Sequence, residues 1–160
     1  MIIQFTVNSK PFSVNKAYYR NRQLTKDARK WRSTFLLQLQ EANIQKSFDE
    51  LRSKFDPKIH GIKASYRFCM PKSILFTKQK LISARSCDLT NIEKLVQDNI
   101  FDKRFNGREI NDILIKNLDI DDKYITELNS RKIVSAVKNQ FYIQVRLELV
   151  LLSTCEDHWC

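Results

Sequence analysis

The sequence predicts a single α+β domain in which helices pack on a mixed β-sheet. Near both ends of the chain, apolar and polar residues alternate in the way that is typical of half-buried strands. Segments with apolar residues at helical spacing lie between them, so that helices interrupt the strands. The 160 residues, 42% of them hydrophobic, suffice for one core but not for two full domains. We expect the domain to cover residues 1–152 and residues 153–160 to form a flexible tail.

The first half of the chain is expected to contain two strands and a helix. Alternating apolar residues predict a strand over residues 2–7 and a second strand that begins at Ile62 and stops at Pro71. Thr25 is expected to cap a helix that reaches the mid-forties. Residues 46–60 are charged and are expected to form a helix end and a loop.

The second half is expected to contain two helices and two further strands. Residues 72–87 are basic and are interpreted as a loop or a hairpin arm. A Thr-x-x-Glu capping box at Thr90 predicts the start of a short amphipathic helix. Helical spacing of apolar residues recurs over residues 110–118, and strands are expected over residues 123–137 and 141–151. The last of these strands has the clearest alternation.

The charge of the chain points to a polyanionic partner. Twenty-eight Lys and Arg against eighteen Asp and Glu give a formal net charge of +10, which favours nucleic acid, although many basic proteins bind it only nonspecifically. The two glycines, Gly61 and Gly107, are too few and too far apart for a phosphate-cradling loop. ATPases, kinases and Rossmann dehydrogenases are therefore excluded, and no nucleotide cofactor is expected.

Cysteine usage and hydropathy favour an intracellular protein, located in the cytoplasm or wherever its nucleic acid lies. The four cysteines lack CxxC spacing, the N-terminal residues have the pattern of a strand rather than a signal peptide, and no apolar run is long enough to cross a membrane. The terminal CEDHWC sequence places the candidate zinc ligands Cys155, His158 and Cys160 together. Since a zinc site needs about four ligands, a frayed tail is the alternative interpretation.

One edge of the helix predicted after Asp88 combines an amide, an ammonium and a carboxylate. At about 100° per residue, Asn91, Lys94 and Asp98 fall within about 60° of one another. One interpretation is a surface ion pair between Lys94 and Asp98, worth about 0.2–0.5 kcal/mol. The other is that this edge forms part of a chemical site.

A second acidic cluster consists of Asp119, Asp121 and Asp122, between a predicted helix and a predicted strand. In a basic protein, carboxylates that hold Mg²⁺ beside bound DNA are typical of a nuclease. The ion activates water and stabilises charge on the scissile phosphate. A solvated turn is the alternative interpretation.

Five motifs occur in a fixed order between about residue 3 and residue 150. They are an N-terminal strand, a PxSxNxxYxR-like loop, a strand that ends in Met-Pro, an Asp-x-Asp-Asn-x-x-Lys-like segment followed by an Asp, and an Asp-Asp pair that leads into a strand. The residues that match them are Pro11, Ser13, Asn15, Tyr18, Arg20, Met70, Pro71, Asp88, Asn91, Lys94, Asp98, Asp121 and Asp122. In this order the chain resembles the RusA family of Holliday-junction resolvases.

The resemblance implies a RusA-like homodimer that cuts four-way DNA junctions with paired symmetric nicks and depends on Mg²⁺, with Mn²⁺ as an alternative ion. It implies that Asp88 and Asp122 are metal ligands, that Asp121 is a neighbouring acid of the same catalytic site, and that Lys94 is an essential cation near the scissile phosphate. Thr90 stands where the family motif has its second aspartate. The number of ligands is therefore open, and Asp121, Asp98 or water are the candidates to complete the shell.

A basic and aromatic loop over residues 15–22 is expected to grip DNA, since rings and cations together bind exposed bases and backbone. The alternative is a tyrosine packed over a sheet edge. The candidate DNA-binding residues are Asn15, Lys16, Tyr18, Tyr19, Arg20, Arg22, Arg85 and Asn91. Two other functions stay open: a catalytically inactive branched-DNA or RNA binding protein of the same fold, and a basic interaction subunit without nucleic acid.

Overall fold

Six strands and five α-helices make up the part of the chain that the computed structural model describes, residues 1–19 and 23–152. The strands are β1 (Ile2–Val7), β2 (His60–Met70), β3 (Glu109–Ile110), β4 (Ile113–Leu114), β5 (Ile125–Val134) and β6 (Tyr142–Leu151). The α-helices are α1 (Val14–Ala17), α2 (Lys26–Gln38), α3 (Ala42–Lys54), α4 (Lys72–Leu75) and α5 (Leu89–Phe101). Short 3₁₀ turns cover Ala84–Ser86, Lys103–Phe105 and Asp122–Tyr124.

The main sheet has the strand order β1-β6-β2-β5. Strand β6 is antiparallel to both of its neighbours, whereas β2 and β5 run parallel. The sheet is therefore mixed, as the sequence predicts. Because side chains alternate across a strand, one face of the sheet is apolar and the other is polar.

The core lies between the apolar face of the sheet and helices α2, α3 and α5. The buried side chains that form it are Ile3, Phe5, Val7, Ile62, Ala64, Tyr66, Phe68, Ile143, Val145 and Leu147 from the strands and Phe35, Leu36, Ile44, Phe48, Leu51, Ile92, Val96 and Ile100 from the helices. Helices packed on one face of a mixed sheet confirm the predicted α+β class and the single domain.

The helix that begins after Thr25 is shorter than predicted. Thr25 does cap it, since its side chain accepts a hydrogen bond from the Ala28 amide. The helix ends at Gln38, however, and a separate helix, α3, continues to Lys54 within the segment expected to be a helix end and a loop. The side chain of Gln40 exchanges hydrogen bonds with the backbone of Lys116, which fixes the turn between the two helices.

The predicted helix over residues 110–118 is wrong. These residues contain the small hairpin of β3 and β4 instead. Asn111 and Asp112 between the two strands adopt φ values of 50° and 60°, the left-handed conformation that two-residue hairpin turns require and that Asn and Asp tolerate. The turn chemistry of this pair outweighs the apolar spacing around it.

The basic segment 72–87 forms an arm, as one of its two interpretations predicted. After α4 the chain turns back, with an antiparallel bridge between Phe76 and Ile82.

The strand predicted over residues 123–137 covers Ile125–Val134 and is preceded by a 3₁₀ turn. Within the described ranges every helix is too short or too polar to cross a bilayer. The tail 153–160 lies outside the described residues.

We expect Gly61→Ala to destabilise the fold by about 1–3 kcal/mol, because overpacking a tight site costs this much. A Cβ atom on Gly61 would lie 2.6 Å from both Cγ2 and Oγ1 of Thr126 on the neighbouring strand. Urea unfolding of the single variants and of Gly61→Ala/Thr126→Ala measures the effect. The double variant should recover most of the loss, since both atoms are then gone; an equal cost in both backgrounds would contradict the argument.

Candidate active site

Helix α5 positions the first set of candidate residues. Ile92, Val96 and Ile100 are fully buried against the sheet, so the helix is fixed in rotation about its axis. Asn91, Lys94 and Asp98 consequently lie along one edge of it, as the helical spacing predicts. Lys94 Nζ is 2.8 Å from Asp98 Oδ1, so the expected i,i+4 ion pair forms.

The start of α5 differs from the prediction. The N-cap is Asp88, and Thr90 lies exposed within the first turn, so the capping box at Thr90 is wrong. Cys87, with φ of 57°, turns the chain just before Asp88, which then takes the extended conformation of an N-cap residue. The Asp88 carboxylate caps no backbone amide and instead accepts a hydrogen bond from Asn91 Nδ2 at 3.3 Å.

A buried asparagine attaches the second acidic segment to the end of α5. Asn117 Nδ2 donates to the carbonyl oxygens of Asn99 and Asp102, at 3.3 and 2.7 Å, and its Oδ1 accepts from the Asp119 amide at 3.1 Å. Asp119 then adopts φ of 56°, and the chain enters the turn that holds Asp121 and Asp122. This connection brings the acidic segment to the edge of α5.

Lys94 joins the two motifs in space. Its Nζ lies 3.3 Å from Asp122 Oδ2, in addition to its pair with Asp98. Gln97 Nε2 donates to the same Asp122 oxygen at 3.2 Å. Partial burial lowers the pKa of Lys94, but the hydrogen bonds and charges of Asp98 and Asp122 outweigh it and raise that pKa, so the ammonium is held in its charged form.

These groups line a groove of about 330 Å³ beside the end of α5. Its walls include Lys94, Asp98, Asp121 and Asp122, together with Arg104 from the 3₁₀ turn that follows the helix. Of the predicted catalytic residues, Lys94, Asp121 and Asp122 therefore meet. Asp88 is not among the lining residues: it precedes Lys94 by six positions, or about 9 Å along a helix axis at 1.5 Å per residue.

Sequence reasoning missed Tyr66, whose hydroxyl is fully buried without a hydrogen-bond partner among the described residues. Burial raises the pKa of Tyr66, and the negative charges of Glu93, Asp122 and Asp98 raise it further. The carboxylates of the site therefore interact electrostatically with the buried hydroxyl. It is also a polar group left to be satisfied by water or another ligand, because orphaned buried hydroxyls are costly.

The donor chemistry of the groove fits Mg²⁺, which prefers oxygen ligands. Within residues 1–19 and 23–152, no three Asp, Glu, His or Cys side chains are close enough to hold an ion by themselves. Mg²⁺ commonly uses only one or two carboxylates and completes its shell with water and substrate phosphate. Asp121 and Asp122 supply two such carboxylates.

A second groove collects part of the predicted DNA-binding set. Lys16, Tyr19 and Arg85 line a concave surface of about 960 Å³ together with Phe12 and Trp31. Three further lysines, Lys10, Lys26 and Lys30, lie on its walls, against one carboxylate, Asp27. Rings and cations are therefore mixed here as the sequence predicts.

The other candidate DNA-binding residues lie elsewhere. Asn15 and Tyr18 are exposed but do not line this groove, and Asn91 faces Asp88. Tyr18 is 39% and Tyr19 53% exposed. Arg20 and Arg22 lie outside the described residues.

No protein-family model matches the sequence, and no curated protein matches it. The RusA resemblance therefore rests on the motifs and their order alone.

Proposed function

We propose that this protein is a Mg²⁺-dependent DNA endonuclease that resolves four-way junctions, as RusA-like enzymes do, and that it acts as a homodimer. The observation that carries the proposal is the meeting of Lys94 with Asp122, which come from two separate motifs 28 positions apart. They meet in a groove that also holds Asp98 and Asp121. The excess of ten positive charges favours a polyanionic substrate.

In this proposal the residues in and beside the groove have separate tasks. Asp122, with Asp121 or Asp88, would hold the divalent ion, which would supply an activated water and charge stabilisation at the phosphate. Lys94 places a fixed positive charge where negative charge develops on the phosphate. Gln97 orients Asp122 through its amide, and the groove of Lys16, Tyr19 and Arg85 binds the DNA that leads to the site.

The alternative is a branched-DNA or RNA binding protein of the same fold that does not cut. Two observations favour it: Thr90 stands in place of a motif carboxylate, and the Lys94 ammonium already pairs with both Asp98 and Asp122. Incubation with labelled four-way junction, linear duplex and single strand, with Mg²⁺ or with chelator, decides between the two. Cleavage confined to the junction and dependent on metal supports the enzyme. Junction binding that survives chelation without any cleavage selects the binding protein.

We expect Thr90→Asp to lower the Mg²⁺ concentration needed for half-maximal cleavage. Thr90 is exposed in the first turn of α5, where a carboxylate is favourable to the helix dipole, so the fold should be retained. The added oxygen anion strengthens a hard-cation site. Cleavage measured against Mg²⁺ concentration tests this. An unchanged or weaker response would show that the shell is already full, and activity seen only in the variant would select the binding protein.

A further inference from the structure

The basic arm forms a groove of its own, separate from the two described above except at Arg85. The groove has a volume of about 1080 Å³ and lies between the arm and the residues that connect β5 to β6. That volume is slightly above the range of about 300–1,000 Å³ that ligand pockets span. The surface is therefore large enough for an extended ligand.

The described residues that line this groove carry charge of one sign only. Five of them are exposed cations, and none is Asp or Glu. The cations are Lys72, Lys78, Lys80, Arg85 and Lys138. None of them forms an ion pair with another described residue. Five uncompensated cations in one concave surface are complementary to a chain of phosphates.

The floor of the groove is apolar. Phe76 is half-buried in it, and Val134 and Val137 are 44% and 47% exposed. A duplex turns its sugars and phosphates outward and offers an apolar floor little to contact. A single strand presents its bases as well, and these stack or pack on apolar and aromatic side chains.

The arm is held firmly against the sheet. Lys132 Nζ, on β5, donates to Ser86 Oγ at 3.0 Å and to the Cys87 carbonyl oxygen. On the other wall, the Ser135 amide donates to the Met70 carbonyl oxygen at 2.7 Å. Both walls are thus anchored to β2 or β5, so the groove is preformed rather than assembled by its ligand.

We propose that this groove binds a single-stranded DNA segment. Arg85 lines both this groove and the groove of Lys16 and Tyr19, so the two surfaces adjoin at this residue. The inference rests on the proposed function only in taking DNA as the ligand. It adds that the protein holds an unpaired strand beside the duplex arms of its substrate.

The test compares two double variants that each remove two positive charges. Lys78→Gln/Lys80→Gln changes the groove, and Arg67→Gln/Arg131→Gln changes the polar outer face of the sheet, where the two arginines are cross-strand neighbours. Binding of a fluorescent oligo-dT of about 20 nucleotides is measured by anisotropy over a range of NaCl concentrations. Because each phosphate contact on a single strand contributes about 0.7 to the log–log salt slope, the groove variant should lose about 1.4.

The control variant on the sheet face should keep the slope of the unaltered protein. Equal losses in both variants would show that overall charge, not the groove, binds the strand, and an unchanged slope in the groove variant would also overturn the proposal.

Val137→Asn tests the apolar floor and should weaken oligo-dT binding several-fold without changing the slope or the affinity for duplex. Leu128→Asn is its control, since Leu128 is 48% exposed and lines neither groove. If Val137→Asn leaves oligo-dT affinity unchanged, the apolar side chains of the groove do not contribute to binding.

Junction cleavage by the unaltered protein is measured in parallel, so that a failure of the single-strand site can be distinguished from a failure of the proposed endonuclease function. Oligo-dT binding that depends on the groove, without cleavage at any Mg²⁺ concentration, supports the single-strand site and contradicts the endonuclease. Junction cleavage together with oligo-dT binding that does not change in Lys78→Gln/Lys80→Gln supports the endonuclease and contradicts the single-strand site.

Discussion

Asp122→Asn should reduce junction cleavage by about 10²–10³-fold, the loss typical when one preorganised electrostatic group is removed from an active site. The change keeps the size of the side chain but removes the charge that faces Lys94 and that is expected to hold the metal ion. Junction affinity in chelator should change little, because binding depends mainly on Lys and Arg contacts with phosphates. Single-turnover cleavage and junction binding, measured separately, check both parts.

A matched control is available in the β3–β4 turn. Asp112→Asn removes the same charge from an exposed residue with φ of 60°, a conformation that Asn also tolerates, so its cleavage rate should equal that of the unaltered protein. Asp88→Asn should behave like Asp122→Asn if Asp88 shares the metal. Full activity of the Asp122 variant would mean that the acidic pair is wrongly placed in the site.

Lys94→Ala should lower the cleavage rate by about 10²-fold or more while leaving junction affinity almost unchanged. An interaction that strengthens only as charge develops on the phosphate lowers the rate of the chemical step rather than the binding of the substrate. The variant also leaves Asp98 and Asp122 without the ammonium between them. Lys94→Arg keeps the charge and should retain part of the rate.

Rates and affinities are compared with those of Lys46→Ala, which removes an exposed lysine of α3 that lines none of the described grooves. That variant should cut at the normal rate. If Lys94→Ala instead weakens affinity with no change in rate at saturation, Lys94 serves as an ordinary backbone contact and the electrostatic role assigned to it is wrong.

Local patterns in the sequence predicted most of the sheet because alternation depends only on which face of a strand is buried. Residues 2–7 form β1 as expected, and the second strand ends at Met70, directly before Pro71. The helical edge of α5 was predictable for the same reason. The predictions failed at turns and helix ends. Asn111 and Asp112 form a hairpin turn within a segment predicted to be helical. The turn between α2 and α3 is held by hydrogen bonds between Gln40 and the backbone of Lys116, 76 positions away, which no local pattern indicates.

The candidate site divides in the same way. The spacing of Lys94 and Asp98 predicts their ion pair, whereas the contact of Lys94 with Asp122 depends on Asn117, which ties distant segments together. Gln97 carries no charge and gave no signal, although it lies only three residues from Lys94 and so close to it on the helix surface. Tyr66 has the pattern of a core residue of β2. The electrostatic interaction of its hydroxyl with Asp98 and Asp122 depends on the packing of α5 over the sheet, which the pattern of β2 does not show.

The strand order β1-β6-β2-β5 has a consequence for how this chain folds during synthesis. Strand β6, the last of the six described strands to leave the ribosome, lies between β1 and β2, so β1 has no partner in the sheet until residues 143–148 have been made. Until then the hydrogen-bonding edge of β1 that pairs with β6 stays open, whereas its apolar side packs on the much earlier helix α3, as Phe5 does on Phe48. Pairing of the first strand with the last gives a high contact order, which slows folding. The nascent chain therefore depends on its environment, rather than on early sheet closure, to keep β1 from associating with other chains.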